Sequence, residues 1–102
     1  EMYDVYAIGN PATTDAKFLI KHNRPDALVT VSVYVYDLMG RLVWSAQESG
    51  RSDMFTSFPI TWDLTDMAGR RVPRGIYIYK AGISTDGVTE TTKAKKIAVA
   101  AK

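Results

Sequence analysis

Cysteine is absent from the 102 residues. That excludes a disulfide framework, a thiolate metal site and a cysteine nucleophile. It does not fix a compartment, because domains that pass through oxidising spaces can also lack cysteine. Histidine is nearly absent too. The single one, His22, stands at a strand end beside polar turn residues and is expected on the surface. Sequence alone leaves a Ser-His-Asp arrangement open, but there is no Gly-x-Ser-x-Gly elbow, Walker loop or dinucleotide fingerprint. No apolar run approaches the roughly 20 residues of a membrane-spanning helix. A surplus of one charge sign is missing as well. Thirteen basic and eleven acidic side chains leave a net charge of +2, too little to imply binding to nucleic acid or to an anionic membrane. The chain opens Glu1-Met2-Tyr3 without a basic start and apolar core, so it reads as a domain excised from a longer protein.

What is present is alternation. A chain of this length fits one domain, residues 1–102, and hydrophobic residues at 46% suffice for a core rather than a disordered tail. Period-2 patterning broken by turn residues predicts seven strands: Tyr3–Ile8, Ala16–His22, Val29–Tyr36, Arg41–Gln47, Phe55–Trp62, Gly75–Ile83 and Thr91–Ala100. The third is the clearest, with Val29, Val31, Val33 and Val35 on one face. Asn23-Arg24-Pro25-Asp26 and Asp37-Leu38-Met39-Gly40 read as turns, Glu48–Asp53 as a polar loop, and Asp86-Gly87 as a hairpin signal. Leu42 and Trp44 are expected on one face of the fourth strand. Pro59 points to an edge or a bulge. Residues 93–102 are rich in alanine and lysine and helical by propensity, yet Ile97 and Val99 alternate as in a strand. Short strands with frequent turns predict an all-β, antiparallel sandwich.

No residues are assigned a catalytic, cofactor or metal role. Asp63, Asp66 and Gly69 do not have EF-hand spacing, and turn aspartates that accept backbone N–H groups explain them more simply. Tyr34, Tyr36, Tyr77 and Tyr79 alternate at positions expected to face outward, as cross-strand cover or as a sugar-binding face. Trp62 is expected in the core. Lys93, Lys95, Lys96 and Lys102 make the end of the chain basic, either as edge protection or as a contact for an acidic partner.

Four segments together resemble a known family. Val33-Tyr34-Val35-Tyr36-Asp37-Leu38-Met39-Gly40-Arg41-Leu42-Val43 is similar to the IYDLxGRLV hairpin of type IX secretion C-terminal domains. Ile8-Gly9-Asn10-Pro11-Ala12 resembles their YPNPA opening, with Ile8 and Gly9 in place of Tyr-Pro. Residues 60–79 resemble WDGxDxxGxxVxxGxYxY, with Leu64 in place of the usual glycine. Lys95-Lys96-Ile97-Ala98-Val99 resembles the terminal KKIxV strand. The two central motifs are shared with the immunoglobulin-like domain of the flagellar hook-capping protein.

The resemblance implies a seven-stranded immunoglobulin-like fold without enzymatic activity and without cofactor. It implies passage through the periplasm to the outer membrane, cell surface or medium, with the type IX translocon and sortase components as partners. The altered opening motif points to a machinery component such as the sortase itself. For recognition, the resemblance and the basic end nominate Gly40, Arg41, Gly69, Gly75, Lys95, Lys96, Ile97, Val99 and Lys102. The last strand is expected on a free edge, able to extend a partner's sheet or to pair with a second copy. A carbohydrate-binding or adhesive module and a hook-cap-like structural domain are the alternatives.

Overall fold

A computed structural model describes residues 3–22, 27–52 and 56–100. These contain no helix and eight strands: β1 (Asp4–Ile8), β2 (Ala16–Lys21), β3 (Leu28–Tyr36), β4 (Leu42–Arg51), β5 (Ile60–Trp62), β6 (Gly75–Thr85), β7 (Val88–Thr91) and β8 (Lys95–Val99). They form two antiparallel sheets packed as a sandwich. The smaller has the order β1-β2-β5; the larger has the order β4-β3-β6, with both β7 and β8 on the far side of β6.

Eight strands rather than seven arise because residues 88–91, after the Asp86-Gly87 turn, form a strand of their own, β7, and the expected strand Thr91–Ala100 begins only at Lys95 as β8. β6 has 11 residues, longer than either partner. Its first half pairs β8 and its second half pairs β7. At the gap, Thr92 is buried and substitutes for a strand. Its N–H donates to the Ala81 carbonyl (2.9 Å), and its hydroxyl accepts from the Ala81 N–H (3.0 Å). No main-chain group of Ala81 is then left unpaired where the strands change over.

The fifth strand is also shorter than expected. It begins at Ile60, just after Pro59, and lies on the sheet edge. Phe55, Asp53 and the predicted turn at residues 23–26 lie outside the described residues. The polar loop expected from Glu48 is strand as far as Arg51. His22, expected on the surface, is buried with 4% exposure.

The four β3 valines are all buried, as their alternation requires. Cross-strand register decides the faces elsewhere. Tyr79 stands opposite Val35 on β3, so Tyr79 and Tyr77 point into the core while Ile76 and Ile78 turn outward. The expectation of outward tyrosines fails for these two. On β4, Trp44 pairs Val35 but Leu42 pairs Tyr36, which leaves Val43 as an extra residue. That bulge reverses the alternation. Leu42 faces out and Trp44 packs inward, rather than sharing a face.

Trp62 fills the core between the sheets. It is fully buried, with ring centroids 6.5 Å from Phe18, 6.0 Å from Trp44 and 6.0 Å from Tyr77. Two residues further on, Leu64 is fully buried with φ of 65°. This is the position where the related motif has glycine. A left-handed backbone costs a residue with a Cβ roughly 1–2 kcal/mol, and burying a leucine returns about 1.5–3 kcal/mol.

The two contributions separate by substitution. Leu64→Ala keeps the strained backbone and loses the packing, whereas Leu64→Gly loses the packing but relieves the backbone. We expect both to be destabilised in urea titrations, with the glycine variant about 1 kcal/mol more stable than the alanine variant. An alanine variant as stable as the glycine variant would contradict a left-handed Leu64.

Candidate recognition site

Two turns at one end of the sandwich are built alike. In Asp37-Leu38-Met39-Gly40-Arg41, one Asp37 carboxylate oxygen accepts the N–H groups of Met39 (2.9 Å) and Arg41 (3.0 Å). In Asp66-Met67-Ala68-Gly69-Arg70, Asp66 accepts those of Ala68 (2.9 Å) and Arg70 (3.0 Å). The main-chain bonds also correspond. Gly40 N–H reaches Asp37 O and Gly69 N–H reaches Asp66 O, each at 3.0 Å. Gly40 and Gly69 both have φ of 84° with nothing within 4 Å of a hypothetical Cβ, so conformation rather than crowding requires glycine. The Asp-x-x-Gly-Arg spacing is common to the two turns, a likeness that the sequence reading did not draw.

Both turns border one open groove of about 620 Å³, lined among others by Asp37, Arg41, Asp66, Met67, Val72 and Tyr77. The Tyr77 hydroxyl donates to the Pro73 carbonyl (2.6 Å) and holds the far wall. The Met67 sulfur accepts the Ser45 N–H (3.4 Å), which covers part of the β4 edge. The rim is apolar and exposed: Leu42 and Met67 line the groove, and Leu38 and Met39 project into solvent from the turn that borders it, Met39 with 81% exposure. Arg41 is pinned to Asp37 (2.9 Å), while Arg70 and Arg74 are exposed.

The other motif segments meet nearby. Ala12 forms a parallel bridge with Val99. Its N–H donates to Ala98 O and its carbonyl accepts from Ala100 N–H, both at 2.8 Å. Asn10 Oδ1 accepts the Ala98 N–H (3.1 Å). Arg71 closes this clamp, donating to Thr13 O (3.0 Å) and Ala100 O (3.2 Å). The end of β8 is therefore not the free edge expected of it, because residues 10–12 cover its outer side.

The nominated residues fall into distinct places. Gly40, Arg41 and Gly69 belong to the twin turns. Gly75 opens β6 opposite Val99. Lys95 is bound to Asp4 (2.9 Å), joining the two sheets, and Lys96 is exposed. Ile97 and Val99 are core side chains with 0% and 3% exposure, so they anchor β8 and present nothing to a partner. Lys102 lies outside the described residues. Sequence reasoning did not single out Arg71, Met39 or Met67. Asp66 takes the turn role expected of it, and Asp63 accepts the Thr65 hydroxyl.

No protein-family model and no curated protein sequence matches the chain. Solved structures do match. A part of dimeric latent PorU from Porphyromonas gingivalis aligns with 99% of this chain at 35% identity and a TM-score of 0.86. The chain spans only 9% of the length of that protein. FlgD from Xanthomonas campestris, a hook-capping protein of flagellar assembly, aligns with 94% of the chain at 20% identity and a TM-score of 0.66, over 68% of its own structure. FlgD from P. aeruginosa aligns with 95% at 20% identity and a TM-score of 0.63, over 75% of its own structure. At that identity the FlgD likeness is one of fold.

Two carboxylates set the acid response, Asp37 in the first turn and Asp4 where β1 is tied to β8. Asp37 is held below the ordinary 3.8 chiefly by the Arg41 N–H, and Asp4 chiefly by its hydrogen bond from Lys95. Both folded-state values lie below the unfolded ones. Their stabilisation is thus complete above the ordinary carboxylate range and lost as pH falls through the depressed values. Urea midpoints measured from pH 6 to pH 2 (about this range) should fall on acidification, and less steeply in Asp4→Asn and Asp37→Asn. Parallel curves for wild type and both variants would contradict this account.

Proposed function

We propose that the chain is a C-terminal sorting domain of type IX secretion, an immunoglobulin-like sandwich of one domain that directs its parent protein across the outer membrane. The observation that carries this reading is the match to a part of PorU along 99% of the chain at 35% identity. It is supported by where the four family-like segments lie. Asn10–Ala12 and the end of β8 form the clamp, and the segments around Gly40 and Gly69 form the twin turns.

In this reading the domain has no catalytic or cofactor-binding role. Its partners are translocon and sortase components, and its route runs from periplasm to outer membrane, cell surface or medium. The likeness to PorU also favours a parent that belongs to the secretion machinery. Recognition works through a preformed surface. Ile97 and Val99 hold β8 in the core, and the contacts come from what remains outside: the apolar rim of the groove with Arg41 and Arg70 of the twin turns, and Lys96 on the exposed side of β8. Exposed apolar groups flanked by cations suit a partner that is apolar with an acidic border.

A periplasmic reporter fused ahead of this chain tests the proposal in a bacterium that has the route. The fusion should reach the cell surface, and the reporter alone should not. Met39→Asp with Met67→Asp places charge on the exposed rim without entering the core. That pair should lower surface export by about tenfold or more at unchanged melting temperature, the equivalent of roughly 1.4 kcal/mol of recognition. Equal export with and without the domain would overturn the sorting role. Export unaffected by the paired substitution would move recognition away from the groove.

A further inference from the structure

We infer that the outer face of the larger sheet carries a shallow binding site for a neutral carbohydrate, floored by Gly82 and walled by Tyr34. This inference does not depend on the sorting role.

It starts from a glycine that the fold does not need. Gly9, Gly40, Gly69, Gly75 and Gly87 have positive φ, and a Cβ on Gly50 would meet the Phe58 ring at 3.0 Å. Gly82 has neither reason. It lies in mid-strand in β6 without positive φ, and the nearest atom to an added Cβ is Glu90 O at 3.6 Å, an ordinary contact. Glycine in the middle of a strand weakens it, and such positions often mark a close approach by a ligand or another chain.

The surroundings say which kind of ligand. Register places Gln47, Ser32, Gly82 and Thr91 in one row across β4, β3, β6 and β7. The adjacent row contributes Thr30, Ser84 and Thr89, with the Thr30 hydroxyl already bonded to Ser49 (2.8 Å). Together with Tyr34 these side chains enclose a depression of about 390 Å³ that no charged side chain lines. The nearby cation, Lys80, is drawn over the Tyr36 ring at 5.4 Å.

Hydroxyls and an amide both donate and accept, as sugar hydroxyls do. A half-exposed tyrosine offers a flat apolar wall for the C–H face of a pyranose. A charged ligand would lose its hydration here without an opposite charge to replace it. A neutral saccharide unit is the ligand whose two kinds of surface the depression matches.

Native gels cast with laminarin, galactomannan, xyloglucan, dextran or alginate test this on the intact chain. Wild type should be retarded by at least one neutral polysaccharide. Gly82→Ala, which fills the floor with a single methyl, and Tyr34→Ala should each weaken that binding by about tenfold or more. Gly82→Ala should melt at or above the wild-type temperature, because the fold gains a better strand residue. No retardation in any neutral gel would overturn the inference. So would retardation that survives either substitution, or stronger retardation in alginate than in every neutral gel.

Discussion

Trp62 joins what would otherwise be two loosely related halves. Its ring touches Phe18 of β2, Trp44 of β4 and Tyr77 of β6, so one side chain meets both sheets. Truncating a buried tryptophan costs roughly 3–5 kcal/mol, a large part of the about 5–15 kcal/mol that holds a domain folded. Its indole N–H matters as much as its bulk. It donates to the Thr65 carbonyl at 2.8 Å and fixes the start of the connection from β5 to β6. That connection carries Leu64, the Asp66 turn and Arg71. The Val72 N–H then returns to Leu64 O at 2.9 Å and closes it into a compact loop. The position of the groove therefore follows from a core contact.

The same loop shows how a departure from the motif it resembles can be tolerated. A glycine at position 64 would adopt the left-handed backbone freely but would bury nothing. Leucine accepts the strain and fills space beneath Trp62's loop, with no exposed surface left. In this loop the burial gain exceeds the backbone cost, by a margin that the strain narrows. Neither residue type alone identifies the turn. The Asp66-x-x-Gly69 pattern that follows does, because it specifies acceptor and left-handed position together.

Legibility in the sequence followed the range of the interaction concerned. Alternation exposed β3, and hydrogen-bonding side chains near positive-φ positions exposed the twin turns, since both are local. Face assignments on β4 and β6 failed because they depend on partners distant in sequence. The extra residue at Val43 is invisible until Trp44 is paired with Val35, and the tyrosines of β6 are assigned inward only by their register with β3. The separate strand β7 and its changeover to β8 were hidden likewise. Nothing near Thr92 announces a break, because its cause is the length of β6 and the pairing that Thr92 gives the main chain of Ala81. His22 was misplaced because residues beside it in sequence are polar, whereas burial is decided by what packs over it. The candidate site was half legible: its turns were, but the apolar rim and the Arg71 clamp exist only once separate loops meet.

The length of β6 has a further consequence. Its first half carries Tyr77 toward the groove and pairs β8 beside the clamp; its second half carries Gly82 and pairs β7. One continuous strand thus supports two surfaces of different chemistry, an apolar rim flanked by arginines and a neutral hydroxyl face. They share no lining residue. Sites without shared partners respond to substitution almost independently. A sandwich of this kind can therefore retain one surface while the other changes, provided that Thr92 keeps both partners of β6 in register. The constraint on the fold lies in the strand and its changeover, and the faces are free to differ.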